Sequence, residues 1–122
     1  MNTKAKFFII LFSVILIWGC EKDEIPCNNN TKEITLESSQ EYIYDFNISG
    51  DEEGAIIISQ AKHAETSEII RNESTNWSVV YHYVPLSGFT GKDSVRIETF
   101  IGSDGTSCGE TNQVSFHFII TD

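Results

Sequence analysis

Apolar residues along this chain recur mostly at every second position. Ile34 and Leu36 alternate with polar neighbours; Tyr42, Tyr44, Phe46 and Ile48 do so over a longer span, ended by the run Ser49-Gly50-Asp51-Glu52-Glu53-Gly54. A period of two turns one face of a strand to a core and the other to solvent. Ala55 to Ala61, centred on Ile56-Ile57-Ile58, is a short β-branched run, and Ser67 to Arg71 is a weaker candidate. Trp77, Val79, Tyr81 and Tyr83 alternate up to Pro85, Val95, Ile97 and Thr99 after Gly91, and Val114, Phe116, Phe118 and Ile120 toward the end. By this phase Trp77 belongs to the core, whereas His82 and His117 face solvent. Gly88, Gly91, Gly102, Gly105 and Gly109 fall between these runs, where tight turns need them. About seven short strands with turn signals between them, no amphipathic helical stretch and no internal repeat predict an all-β chain folded as one antiparallel sandwich.

The first residues follow another rule. Met1 to Lys6 carries Lys4 and Lys6, and Phe7 to Trp18 is apolar except for Ser13. As a helix that stretch spans about 18 Å, short of the roughly 30 Å of a bilayer core, so it reads as a signal peptide rather than an anchor. It ends in Ile17-Trp18-Gly19-Cys20, which resembles the lipobox of bacterial lipoproteins. The resemblance implies cleavage before Cys20 and acylation of that cysteine. Two or more acyl chains suffice for stable membrane attachment. The next residues, Lys22-Asp23-Glu24, resemble the export signal of surface lipoproteins in Bacteroidetes-type bacteria, which implies a place on the cell surface. An acidic solvated tether is the plainer reading of the same residues. The expected organisation is a signal peptide over 1–19, a lipid-anchored tether over 20–32, in which Cys27 to Lys32 reads as loop, and a sandwich domain over 33–122.

Charge narrows the partners. The 122 residues carry 18 acids against 8 Lys and Arg, a formal charge of -10, which deepens further when Lys4 and Lys6 leave with the signal peptide. So few scattered bases cannot neutralise a phosphate backbone, and nucleic acid is excluded as the expected partner. The membrane, through the N-terminal lipid, and a protein or glycan of unidentified structure remain. Once Cys20 is committed to lipid, Cys27 and Cys108 form an even pair beyond the reducing cytosol and are expected to be bridged.

The segment Tyr83-Val84-Pro85-Leu86-Ser87-Gly88-Phe89-Thr90-Gly91-Lys92-Asp93-Ser94 resembles a motif of bacterial Ig-like and cadherin-like repeat domains. The resemblance implies that Pro85, Gly88 and Gly91 form the turn into the next strand, that Phe89 plugs the sandwich end, and that Asp93 hydrogen-bonds within the turn.

Other chemistry is thinly marked. Asp51, Glu52 and Glu53, with Asp93 and Asp104 in other turns, offer the oxygen ligands calcium takes, but their spacing matches no EF-hand or RTX loop, and solvated turns are the simpler reading. His63, His82 and His117 show no zinc-ligand spacing, and no Gly-x-Ser-x-Gly or comparable mark of a nucleophile occurs. No catalytic residue, metal or cofactor is expected, and the function anticipated is binding or scaffolding in the cell envelope. A non-catalytic subunit of an uptake or secretion complex is the alternative, with a small hydrolase behind it.

Overall fold

The computed structural model describes residues 29–102 and 111–122. Seven strands occupy them: β1 (Asn29–Glu37), β2 (Tyr42–Asp45), β3 (Gly54–Ser59), β4 (Ala64–Ile70), β5 (Val80–Pro85), β6 (Gly91–Phe100) and β7 (Thr111–Thr121). They form a four-stranded sheet, ordered β1-β7-β6-β3, and a three-stranded sheet, ordered β2-β5-β4. The all-β, seven-strand sandwich read from the alternation is the fold.

Its core follows the same period. Leu36 on β1, Tyr81 and Tyr83 on β5, Val95 and Ile97 on β6, and Phe116, Phe118 and Ile120 on β7 are all buried in one cluster. Aromatic rings join the two sheets: Tyr83 stacks on Phe118 with centroids 3.9 Å apart, and Tyr42 and Tyr44 set their edges against the same row of phenylalanines. Stacked and edge-to-face contacts of this kind add to the burial of their large apolar surfaces.

One pairing departs from an all-antiparallel sheet. β1 runs parallel to β7, with Asn29 opposite Gln113 and Glu37 opposite Thr121. Alternation fixes which residues face inward but is the same for both strand directions, so it could not reveal this. The strand also begins at Asn29 rather than after Lys32, because its first residues are polar on both faces and lack the alternation that marks the rest.

Trp77 is a second departure: it is 58% exposed instead of buried. Asn72 caps a single 3-10 turn, Glu73–Thr75, with its side chain accepting from the N–H groups of Ser74 and Thr75. Asn76 and Trp77 then both take left-handed backbone, with φ of 50° and 61°. The alternation is broken there, and the strand starts only at Val80. Asn47, at φ 57°, likewise ends β2 before Phe46 and Ile48 can extend it.

Register places the landmarks at opposite ends. Asn29, Gly54, Phe100 and Thr111 lie at one end of the four-stranded sheet, and Glu37, Gly91 and Thr121 at the other. At about 3.3 Å per residue, the eight steps of β1 separate those ends by roughly 26 Å.

Candidate functional site

Asp93 occupies an inward-facing position on β6, in phase with Val95 and Ile97, and is 7% exposed. A buried carboxylate needs partners for both oxygens. Oδ1 accepts from the backbone N–H of Lys62 and of Ser94, each at 2.9 Å, and Oδ2 from the N–H of His63 and the hydroxyl of Tyr83, each at 3.0 Å. Burial first, and then the charge of Asp93, raise the Tyr83 phenol well above its ordinary range, so it stays a neutral donor. The expectation that Asp93 bonds within the Pro85–Gly91 turn is corrected here. Apart from its neighbour Ser94, its donors come from β5 and from the connection between β3 and β4.

That connection is exposed yet held at every residue. The Gln60 side chain accepts from the N–H of Ala61 and donates to the carbonyl of Ser67; Asp93 holds the N–H groups of Lys62 and His63; and the carbonyl of His63 accepts from Leu86. The His63 ring stacks on Phe89, centroids 4.2 Å apart and planes within 6°. Phe89, half-buried, packs its ring against the core cluster at this end.

The turn residues take the following places. Pro85 is buried at the end of β5, and Phe89 N–H bonds back to the carbonyl of Leu86 across Ser87 and Gly88. Gly88 has φ +78°, the left-handed value a type II turn demands of its third residue, and Gly91 enters β6 at φ +131°. Pro85, Gly88, Phe89, Gly91 and Asp93 therefore come together at one end of the sandwich. Cys20, Lys22, Asp23, Glu24, Cys27 and Cys108 lie outside the described residues.

Beside this hub, on the outer face of the four-stranded sheet, is an open groove of about 440 Å³. Glu33, His117 and Ser94 cross it as register partners on β1, β7 and β6, and Lys62, Lys92 and Gln60 stand at its rim. Lys62 was marked by no sequence motif, Lys92 stood in the turn motif without a role, and His63 was weighed only as a zinc ligand. The outward phase of Lys92 and Ser94 was visible in the alternation of β6, but the fold-over of the β3–β4 connection was not.

The acidic turn lies at the other end. Asp93 and Phe100, the partner of Gly54, are seven residues apart on β6, roughly 23 Å, so Asp93 and the Asp51–Gly54 turn cannot converge on one ion. The turn already holds a cation of the chain itself. The Arg71 guanidinium donates to the carbonyls of Glu53 at 2.7 Å and of Ser49 and Gly50 at 2.8 Å, while the Glu53 carboxylate accepts from the N–H groups of Ser49 and Gly50.

Catalytic geometry does not emerge from these contacts. Among the described residues, His82 Nε2 is hydrogen-bonded to Glu41 Oε2 at 3.0 Å on the outer face of the other sheet, and no hydroxyl is hydrogen-bonded to that imidazole. The hydroxyls of Ser67 and Tyr81 share a 2.8 Å bond, which ties β4 to the core rather than activating either oxygen. Comparison with protein-family models, with curated proteins and with solved structures gives no match.

Proposed function

We propose that the protein is a lipid-anchored module of the bacterial cell envelope, held by acylated Cys20 and displaying a binding surface on the side away from the membrane. The parallel pairing of β1 with β7 carries this reading. It brings the chain from Cys20 into the domain at the Asn29 end, and it leaves the Pro85–Gly91 turn, the Asp93 hub and much of the groove toward the opposite end. A rigid scaffold with its exposed loops held in place suits recognition, which in sandwich domains is carried by such loops. The strand order, with the last strand between the first and the sixth, also supports an immunoglobulin-like domain, in keeping with the turn motif. Lys22, Asp23 and Glu24 in this reading direct the domain to the outer surface.

Protease added to intact cells should degrade the domain. Replacing Lys22, Asp23 and Glu24 by Ala should protect it while leaving it in the membrane fraction, and unchanged accessibility would remove the role assigned to those residues.

A second reading, a non-catalytic subunit of an envelope assembly, is favoured by the outer face of the three-stranded sheet. There Ile43, Ile70 and Val80 line an open groove of about 520 Å³, and Ile43 is 59% exposed. Affinity capture from intact cells separates the two, since a subunit brings a stoichiometric protein partner with it.

A further inference from the structure

The cations of this acidic domain are unevenly used. Arg71 is engaged by three carbonyls, and Lys32 lies over the Tyr44 ring at 5.2 Å. Three Lys and Arg side chains remain without an ion pair, hydrogen bond or aromatic ring contact among the described residues: Lys62, Lys92 and Arg96. All three gather on one surface. Lys92 and Arg96 are exposed on the outward phase of β6, on either side of Ser94; Lys92 lines the groove with Lys62 from the β3–β4 connection, and Arg96, the register partner of the groove residue Ser59, stands beside it.

We infer that this groove binds a saccharide bearing an anionic group, a carboxylate or a sulfate. Among the described residues, these unpaired cations give a domain with a large excess of acids a surface where an anion meets attraction instead of repulsion. The remaining lining is suited to hydroxyls. Ser59 and Ser94 donate and accept, and the Glu33 carboxylate, exposed across the groove, accepts only. An acidic peptide offers no row of hydroxyl donors for Glu33, whereas an acidic sugar offers both the charge and the donors. The connection carrying Lys62 is fixed by the Asp93 and Gln60 hydrogen bonds before any ligand arrives, so little ordering entropy is lost on binding.

This inference rests on the reading of the protein as an outward-facing binding module, but its test does not depend on location. The purified full-length lipoprotein in detergent is titrated with a galacturonic acid hexamer, a chondroitin sulfate hexamer, maltohexaose and a short poly-glutamate, at low and at physiological salt. One or both acidic sugars should bind, the neutral hexamer should not, and affinity should fall as salt rises. The choice between hexamers tells carboxylate from sulfate. Lys62→Ala with Lys92→Ala should weaken binding at least tenfold, with an unchanged thermal midpoint as the check on folding because both side chains are exposed. Binding of poly-glutamate as tight as that of the sugars would overturn the saccharide assignment. Affinity unaltered by the double substitution, or no binding of either acidic sugar, would overturn the site, while protease accessibility on whole cells independently decides where the domain faces.

Discussion

The Tyr83 hydroxyl donates to the Asp93 carboxylate at 3.0 Å in the interior of the sandwich, joining β5 of one sheet to β6 of the other. The same carboxylate takes the N–H groups of Lys62 and His63, so one side chain binds both sheets and the connection between them. Replacing Asp93 by Ala leaves these donors without an acceptor, at about 1 to 3 kcal/mol for each one that water does not reach. Asp93→Ala should therefore lower stability by at least ~3 kcal/mol in urea unfolding. Tyr83→Phe, which removes one donor of four, should cost about 1.5 to 3 kcal/mol.

Alkaline pH should unfold the domain. Burial, eased slightly by the Ser67 hydrogen bond, raises the Tyr81 phenol, and burial with the Asp93 charge raises that of Tyr83. The unfolded chain releases these protons near pH 10 while the folded one retains them. The stability they contribute is thus intact below pH 10 and is lost as pH climbs from there toward the folded-state values. The slope is about 1.4 kcal/mol per pH unit for each tyrosine. Chemical denaturation at pH 9, 10 and 11 should show this loss, and Tyr81→Phe should roughly halve its slope.

Arg71 ties β4 to the turn before β3 through the carbonyls of Ser49, Gly50 and Glu53. Lysine has no planar fork with which to reach three carbonyls. Arg71→Lys should accelerate amide hydrogen exchange in residues 49–54 by tenfold or more and leave exchange on β6 and β7 unchanged. Uniform acceleration would mean that the arginine supports the whole fold rather than the turn.

Cys27 stands two residues before Asn29, and Cys108 three before Thr111. Parallel pairing starts β1 and β7 at the same end of their sheet, with Asn29 opposite Gln113. A bridge between the two cysteines closes a loop of about 80 residues and contributes roughly 4 to 5 kcal/mol in the chain-entropy treatment, as an upper figure. Alkylation of the unreduced, denatured protein should leave both cysteines unlabelled, and two labelled thiols would refute the bridge.

The sandwich was legible in the sequence because its strands are buried on one face, which writes burial as alternation: Tyr81, Tyr83, Ile97, Phe116 and Phe118 are all inward as their phase requires. Strand direction leaves no such trace, and the parallel β1–β7 pair was invisible for that reason. Trp77 misled because the alternation was carried back from β5 to Trp77 itself, whose left-handed backbone lies outside the strand that begins at Val80. Asp93 was marked by its turn motif, but its partners were not, since Lys62 and His63 are about 30 residues away and meet it through backbone N–H groups that any sequence supplies. The groove was illegible for a related reason: Lys62 and Lys92 carry charge without a spacing, and only the folded connection brings them to one surface.

An acylated Cys20 would decide which end of the sandwich is turned outward, and the proposed function rests on it. Intact mass of the protein extracted from membranes tests it directly. A chain beginning at Cys20 and heavier by two or more acyl chains with their glycerol is the predicted result; an unacylated chain, or one beginning at any other residue, would contradict it.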